Sequence, residues 1–503
     1  MRYNHSVNAK RFHQLSTFLL IAAILVAAVG LLSRVWYELS SGVLHGDAQI
    51  FQTVARGMLN GLTPYADLFE TKPPGIFLLH ALSLKLFGNQ FLVKLLQAIA
   101  LLGIPILVVV PSITFVQDRT SVQRRIISLT SILFGLLLAL YTANQAGEGL
   151  TESYGAFFAI TFFIVLITHH KSRISRSIIL GILMLLSVGL KEPFLLIILA
   201  GVLLLKKDLL TSFFYPFCIA VVLGFIALLA LGLAAPFFQI YLPHMLGYHV
   251  VQHKGSLFVY ALEVWRTFIN IGAYSWWLAI GITGLWLAVF VRMRAVGSWQ
   301  LAVSWLVGSY LMFIAIATGG DFYGHHFIFA VPLYIVFWWV LLQHLPEKVS
   351  PIIVSGFVAL LVATSFLSTR FSYKASAQSW NKSEQEMKSV AAVVDTVMER
   401  CNWEKYLQMI PRGGGPYAYT KTSPYGPIFV HYSRFIGANP LYQSAYIRAL
   451  KNTEIALVQD IENSNFTEYT LQYVRSNFTN VPPACVGGDF EQPAPFQLLF
   501  RRS

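Results

Sequence analysis

The sequence is poor in charge: Asp, Glu, Lys and Arg together make up 12% of its 503 residues, whereas 56% are hydrophobic. A water-soluble protein needs more polar surface than this, so the composition excludes a soluble globular class. What the sequence has instead is a series of long apolar runs, and its mean hydropathy is +0.61. Runs of about 20 apolar residues span a bilayer as helices, so we predict a polytopic membrane protein.

Motifs for soluble donors are also missing. The chain has no Asp-x-Asp, no Gly-x-Gly-x-x-Gly and no Walker loop, so chemistry on nucleotides or nucleotide sugars is not indicated. The formal net charge of +13 comes from short basic clusters between apolar runs, which is a signal of membrane topology. We therefore expect membrane lipids, and no nucleic acid, among the partners.

Cysteine is scarce, with three residues and no Cys-x-x-Cys pair. Cys218 lies inside an apolar run, while Cys401 and Cys485 lie in the polar C-terminal region. If that region is extracytoplasmic, a disulfide between Cys401 and Cys485 is expected, and two unpaired buried thiols are the alternative.

Eleven apolar segments are predicted to cross the membrane. With eleven spans, the basic clusters between them all fall on one side, which the positive-inside rule assigns to the cytoplasm. Two short segments meet at Lys191-Glu192-Pro193, where a single kinked helix is the alternative and would invert the topology downstream. The predicted spans are 15–36, 91–116, 126–143, 153–168, 177–190, 192–205, 210–234, 274–291, 298–317, 326–343 and 351–368.

The composition divides the chain into two predicted domains. Residues 1–368 predict an all-α transmembrane domain, in which residues 37–90 form the first outer loop. Residues 369–503 are polar, contain no spanning run and predict a small α+β domain. The basic clusters put the N-terminus in the cytoplasm and the C-terminal domain outside it. We expect an integral protein of a bacterial cytoplasmic (inner) membrane, with an endoplasmic membrane as the alternative.

The first outer loop is ionisable and patterned. Residues 48–59 place their apolar side chains on one helical face, which predicts an amphipathic helix on the membrane surface. Asp47 stands directly before this helix, where a carboxylate caps free backbone N–H groups and, being ionised and oriented, can also act as a base. Lys72 precedes two prolines and is either an interfacial lysine or a cation that binds phosphate.

This loop resembles the first outer loop of the GT-C class of membrane glycosyltransferases. The shared pattern is Gly-Asp, an amphipathic helix, Gly-x-x-Pro-Tyr-x-Asp-x-Phe and Lys-Pro-Pro-Gly, within residues 46–75. More narrowly, it is similar to relatives of the dolichyl-phosphate-mannose–protein mannosyltransferases and of the bacterial lipid A aminoarabinose transferases. The resemblance extends to Lys191-Glu192-Pro193, to residues 319–327 and to the C-terminal outer domain.

The resemblance implies transfer of a sugar from a polyprenyl phosphate to an acceptor at the outer membrane face. Members of the class typically use an aspartate of the first outer loop as the base, and Asp47 matches that position. Many relatives have Asp-Glu there, whereas this chain has Asp47-Ala48, so the role of the second carboxylate is either lost or supplied from elsewhere.

Three further groups of ionisable residues are candidates for the site. Lys191-Glu192 is either a self-neutralising pair or, through Lys191, a phosphate contact. Glu148 and Glu152 lie one helical turn apart and predict a solvated helix face. The last group is expected to contact the donor sugar or phosphate, with a metal site as the alternative that its adjacent histidines do not favour. This group consists of Asp321, Tyr323, His325 and His326.

We therefore predict a GT-C-like inverting glycosyltransferase that moves a hexosyl or pentosyl group from a polyprenyl phosphate to a lipid, glycan or protein. Asp47 is the predicted base, and Asp67 a site organiser or acceptor contact. A sugar phosphate is already activated, so one base and phosphate-binding groups suffice, and no cofactor or metal is indicated. A transporter or flippase of lipid-linked sugars and an oligosaccharide ligase are the rivals. The predicted substrate contacts in the loop and at the helix break are Tyr65, Lys72, Lys191 and Glu192.

Overall fold

The computed structural model describes residues 3–40, 46–115, 117, 120–145, 149–168, 172–249, 258–263, 299–318, 324–344, 384–409, 415–427, 440–459 and 467–502. Within these ranges the chain is mostly helical, and a small four-stranded sheet lies near the C-terminus. The longer helices are α1 (Tyr3–Ser40), α2 (Gly46–Leu59), α3 (Pro74–Phe87), α4 (Phe91–Phe115), α5 (Ser121–Gln145), α6 (Thr151–Thr168), α7 (Arg173–Val188), α8 (Phe194–Leu204), α9 (Tyr215–Ala230), α10 (Trp299–Ala317), α11 (Val331–His344), α12 (384–401), α13 (Pro440–Asn452) and α14 (Glu468–Asn477).

Five helical segments of the described chain are long and apolar enough to cross a membrane. Their outward faces carry large apolar side chains: Phe18, Trp36 and Ile106 are 68%, 73% and 63% exposed. Such faces are stable against lipid and costly against water, so these segments define an integral membrane protein. The five segments are Thr17–Ser40, Phe91–Thr114, Gln123–Gln145, Thr151–Thr168 and Leu210–Ala230.

The predicted count of eleven spans stays a prediction. Shorter apolar helices lie at Phe194–Leu204, Ala302–Ala317 and His325–Val340, all at predicted positions, but none reaches the length of a full span. The predicted spans 274–291 and 351–368 lie outside the described residues.

The chain breaks its helix at the Lys191-Glu192-Pro193 motif. Helix α7 ends at Val188 and α8 begins at Phe194, so the helix is interrupted here, while separate membrane crossings of the two segments stay a prediction. Proline has no N–H to donate and disfavours helical geometry in the residue before it, which accounts for the interruption. The break leaves Lys191 and Glu192 on a turn between α7 and α8.

The C-terminal sheet has strands β1 (Tyr406–Met409), β2 (Ile455–Val458), β3 (Phe478–Thr479) and β4 (Gln497–Arg501), in the order β1-β2-β4-β3. Strands β1 and β2 are parallel and α13 lies between them in sequence, whereas β4 pairs antiparallel with both of its neighbours. This mixed arrangement agrees with the predicted α+β class.

Both faces of this sheet are covered. Helix α12 packs through Val390 and Val394 in the same cluster as Ile455, while α13 and α14 supply Leu450 and Val474 on the other side. Every residue of β1 and β2 is accordingly buried.

The expected disulfide joins Cys401 and Cys485, whose Cα atoms are 5.1 Å apart. Cys401 is the last residue of α12, and Cys485 lies in the short 3-10 helix Ala484–Val486. The bond therefore fastens the end of a covering helix to the segment that leads into β4.

Candidate active site

Helix α2 presents Asp47 from its first turn. The structure differs from the sequence interpretation by a small shift: Asp47 is inside the helix and does not precede it. A carboxylate in this turn is stabilised in its ionised form by the positive end of the helix dipole, which is the form a general base needs.

Both faces of α2 pack against protein. Phe51 stacks edge-on against His80 of α3, with ring centroids 5.8 Å apart, and Val54 is fully buried. On the polar face, Gln52 Nε2 donates to the Ala418 carbonyl at 2.9 Å. The amphipathic pattern predicts lipid on one side of this helix; instead α2 lies between α3 and a C-terminal segment, because its polar face finds backbone carbonyls there.

Arg56 is the strongest link between α2 and that segment. Its guanidinium donates to the carbonyls of Tyr417, Ala418 and Thr420, with the Ala418 contact at 3.0 Å. A fork of donors that meets several carbonyls fixes both the position and the rotation of the partner. The C-terminal region therefore helps to hold the helix that carries Asp47.

We predict that Arg56→Met lowers the apparent Tm of the protein and exposes residues 415–427 to limited proteolysis. Hydrogen bonds from a charged donor contribute about 1.5–3 kcal/mol, and methionine keeps only the aliphatic stem. The matched control is Arg448→Met, because Arg448 is exposed on α13. Equal Tm values and cleavage patterns for the two variants would contradict the role of Arg56 in holding residues 415–427 against α2.

The turn after α2 is organised by its own polar groups. Asp67 is exposed, and its carboxylate accepts the backbone N–H of Thr63 at 2.8 Å. This shapes the turn; a contact of Asp67 with an acceptor stays a prediction. Tyr65 takes a left-handed φ of 70°, which is costly for a residue with a Cβ and is held here by packing against Tyr241 at 4.7 Å between ring centroids.

Tyr65 positions Lys72. Its hydroxyl donates to the Lys72 carbonyl at 2.8 Å, and its ring is buried. Burial, together with the nearby carboxylates of Glu192 and Glu70, raises the pKa of Tyr65 well above its ordinary value, so the phenol stays protonated. The hydrogen bond from the buried Tyr65 side chain thus fixes the backbone at Lys72.

Lys72 lies among carboxylates. Its Nζ is 3.9 Å from Glu70 Oε1, and Glu70 is buried and also accepts the Thr71 hydroxyl at 3.1 Å. Burial alone would lower the pKa of Lys72, but the surrounding negative charge outweighs it and the pKa is raised. Lys72 is therefore an ammonium at neutral pH. The carboxylates responsible, in decreasing order of effect, are those of Glu70, Asp47, Glu152 and Glu192.

Two motifs distant in sequence meet through glycine backbones. The Gly75 N–H donates to the Gly189 carbonyl at 3.1 Å, and a Cβ at position 75 would lie 2.4 Å from that oxygen. Only glycine fits at such a close approach. The Lys-Pro-Pro-Gly turn therefore docks directly onto the α7–α8 break, which brings Lys72 and Lys191 into one site.

Lys191 and Glu192 do not neutralise each other. Lys191 Nζ binds Glu152 Oε1 at 2.9 Å, and both side chains are buried. Glu192 instead accepts a hydrogen bond from the Tyr241 hydroxyl. The prediction that Glu152 is solvated is wrong, because the first turn of α6 packs against the α7–α8 break. Glu148 lies outside the described residues.

The 3-10 helix Gly324–Ala330 adds the two histidines. His325 and His326 have ring centroids 4.4 Å apart, and His326 is buried. Ligand atoms of both rings and of Glu152 lie within 4.8 Å of one another. Asp321 and Tyr323, predicted for the same group, lie outside the described residues.

The missing second carboxylate of the loop motif has a steric explanation. Ala48 is fully buried, and a Cβ built on Gly149 would lie 2.9 Å from the Ala48 Cβ. A glutamate at position 48 would collide with this junction. Glu152, in the first turn of α6, is the buried carboxylate that binds Lys191, and the sequence did not reveal this role because the contact is long-range.

These contacts define a helical membrane bundle in which the loop between α1 and α3 folds over an ionic cluster. The chain is similar to the crystal structure of ArnT, the lipid A aminoarabinose transferase, from Cupriavidus metallidurans in the apo state. The TM-score is 0.55 and the identity 11%, over 96% of this chain and 97% of that chain.

The same enzyme bound to undecaprenyl phosphate matches with a TM-score of 0.51 and 11% identity over the same shares of both chains. Neither the comparison with protein-family models nor that with curated proteins finds a match. At this identity the likeness shows the fold, and the GT-C-like fold predicted from the loop motif is confirmed.

Proposed function

We propose that the protein is an inverting glycosyltransferase that uses a polyprenyl-phosphate sugar as donor. The observation that carries this proposal is the convergence of Asp47, Lys72 and Lys191 in one partly buried ionic site, in a fold shared with an enzyme that binds undecaprenyl phosphate. The sugar is a hexose or pentose, and the acceptor a lipid, glycan or protein.

The proposed reaction is a single displacement. Asp47 accepts the proton of the acceptor hydroxyl while that oxygen forms a bond to the anomeric carbon, and the bond from that carbon to the phosphate oxygen breaks. Polyprenyl phosphate leaves with the bonding electron pair, and the anomeric configuration is inverted. Lys72 and Lys191 stabilise the charge that develops on the departing phosphate.

The surplus of carboxylates suits this chemistry. In the free enzyme Lys72 and Lys191 are engaged by Glu70 and Glu152, at 3.9 Å and 2.9 Å. The donor phosphate would replace the carboxylates as the partner of both ammonium groups. The positive charges are therefore in place before the donor binds, and the site needs little reorganisation. Tyr65 and Asp67 hold the loop in place, and Tyr241 orients Glu192 through a hydrogen bond.

The proposed location follows from the same features. The disulfide and the positive-inside pattern favour an extracytoplasmic C-terminal domain, comprising residues 369–503, with the site at the outer face of a bacterial inner membrane. The lipid tail of the donor would stay in the bilayer while its phosphate reaches Lys72.

We expect Lys72→Met to weaken binding of undecaprenyl phosphate by about tenfold or more, since one charge-assisted contact contributes about 1.5–3 kcal/mol. Binding of the lipid to purified protein, followed by native mass spectrometry, measures this. Lys85→Met is the matched control, because Lys85 is exposed at the end of α3. Affinities that agree within twofold among wild type, Lys72→Met and Lys85→Met would remove Lys72 from the donor site.

A further inference from the structure

Glu152, His325 and His326 form a compact group of metal-ligating atoms within the described part of the chain. Each offers one ligand atom, and these atoms lie within 4.8 Å of one another. Glu152 and His326 are buried and His325 is half-buried. The group is held by two separate elements, the first turn of α6 and the 3-10 helix Gly324–Ala330.

The positions of the two imidazoles are unusual for neighbours in sequence. On a 3-10 helix, with 3.0 residues per turn, successive side chains point about 120° apart. Here the two rings are nonetheless 4.4 Å apart at an interplanar angle of 77°, and both reach the same carboxylate. His326 also stacks parallel to Phe329, at 6.2 Å between centroids, which restricts its rotation.

The carboxylate of Glu152 is oriented by groups outside this triad. Its Oε2 accepts the Thr151 hydroxyl at 3.1 Å, and its Oε1 binds Lys191 Nζ at 2.9 Å. Outer hydrogen bonds of this kind fix the direction in which a ligating carboxylate presents its lone pairs. They also place a cation, the Lys191 ammonium, where it would compete with a metal ion for the same carboxylate.

We propose that Glu152, His325 and His326 bind one divalent transition-metal ion of the zinc class, and that the Lys191 ammonium occupies the carboxylate when the ion is absent. Two imidazoles and one carboxylate favour zinc, cobalt or nickel over magnesium or calcium, which prefer oxygen ligands. Three protein ligands leave one coordination position of the ion open for an oxygen of the donor phosphate.

The open position gives the ion a role in transfer. A metal ion bound to Glu152 would release the Lys191 ammonium. Lys191 and the ion would then both face the donor phosphate, and the ion would add a Lewis acid to the charges that stabilise the leaving group. This role rests on the proposed function; the binding of the metal does not. The main alternative is that both histidines contact the donor phosphate directly. In that arrangement the buried carboxylate of Glu152 would face the phosphate, and the two negative charges would repel each other.

The test is a titration of the full-length protein, stripped with a chelator, with Co²⁺. Visible absorption reports coordination, and the metal content after desalting reports stoichiometry. We expect one ion per chain, an affinity at least about tenfold lower in His326→Gln and Glu152→Gln, and an affinity at least about tenfold higher in Lys191→Met. His80→Gln, a buried histidine on α3, should match wild type.

The expected rise in metal affinity of Lys191→Met keeps the proposal testable even if a variant of a ligand residue misfolds, because misfolding does not raise the affinity of a specific metal site. Absence of bound cobalt, or equal affinities in wild type, His326→Gln and Lys191→Met, would overturn the site. Metal binding by a protein that transfers no sugar would leave the site standing and count against the proposed function. Full transfer activity after stripping would overturn the catalytic role of the ion.

Discussion

Asp47→Asn is expected to lower the rate of sugar transfer by about 10²–10⁴-fold, the range that a positioned general base contributes. The asparagine amide has the same shape and keeps a place in the first turn of α2, but it cannot accept a proton from the acceptor hydroxyl. Binding of undecaprenyl phosphate and the apparent Tm should change little, because Lys72 and its partners remain. Initial rates per mole of folded protein measure the effect.

The control for this prediction is Asp208→Asn. Asp208 is a helix-capping aspartate whose carboxylate accepts the Thr211 N–H at 3.0 Å at an exposed turn. The substitution removes the same charge as Asp47→Asn, and the transfer rate of the Asp208→Asn variant should match wild type. A rate for Asp47→Asn within threefold of wild type would return Asp47 to a purely structural role at the helix end.

Glu152→Gln should lower the stability of the protein by about 3–5 kcal/mol in the presence of a chelator, because it leaves Lys191 buried without its counter-charge. The side chains of Lys191 and Glu152 are only 9% and 2% exposed. The double variant Glu152→Gln/Lys191→Met should recover most of the loss, since replacing both partners removes the uncompensated charge. Unfolding midpoints in detergent supply the double-mutant cycle.

An exposed ion pair is the matched comparison for this cycle. Lys421 Nζ and Glu399 Oε1 are 2.6 Å apart, closer than Lys191 and Glu152, but their side chains are 75% and 64% exposed. Glu399→Gln should therefore cost less than about 1 kcal/mol, because solvent screens the pair. If Glu152→Gln were no more harmful than Glu399→Gln, the buried pair would not be a structural link between α6 and the α7–α8 break.

Local patterns were sufficient to predict the elements that carry the site. The apolar spacing in residues 48–59 reports a single helix, and α2 runs from Gly46 to Leu59. Lys-Pro-Pro-Gly marks a turn into a helix because proline suits the first helical turn, and α3 begins at Pro74. The valines of α12 follow the same rule, since Val390 and Val394 recur at helical spacing and both are buried. Each of these signals lies within a few turns of chain.

The partners of the charged groups were not predictable in the same way. Glu152 reads as a solvated helix residue, since its own helix does not reveal that Lys191 will lie beside it. The polar face of α2 likewise reads as a water-facing surface, whereas Arg56 binds the backbone at Ala418. These contacts depend on how helices pack, and a periodic pattern carries no information about that.

The glycines hold part of the missing information. Gly75 approaches the Gly189 carbonyl, and Gly149 lies against Ala48, so each marks a place where two elements touch too closely for a side chain. Read as contact points, they would have linked the first outer loop to the α7–α8 break and to α6.

The most direct test of the central claim follows a sugar label from polyprenyl phosphate. Purified protein is incubated with defined radiolabelled polyprenyl-phosphate monosaccharides and membrane extract, and both the labelled acceptor and the released polyprenyl phosphate are quantified. The account predicts equimolar release and transfer, with inversion at the anomeric carbon. Label that stays on the lipid for every donor, while the same lipid crosses the bilayer of protein-containing liposomes, would contradict it and identify a flippase.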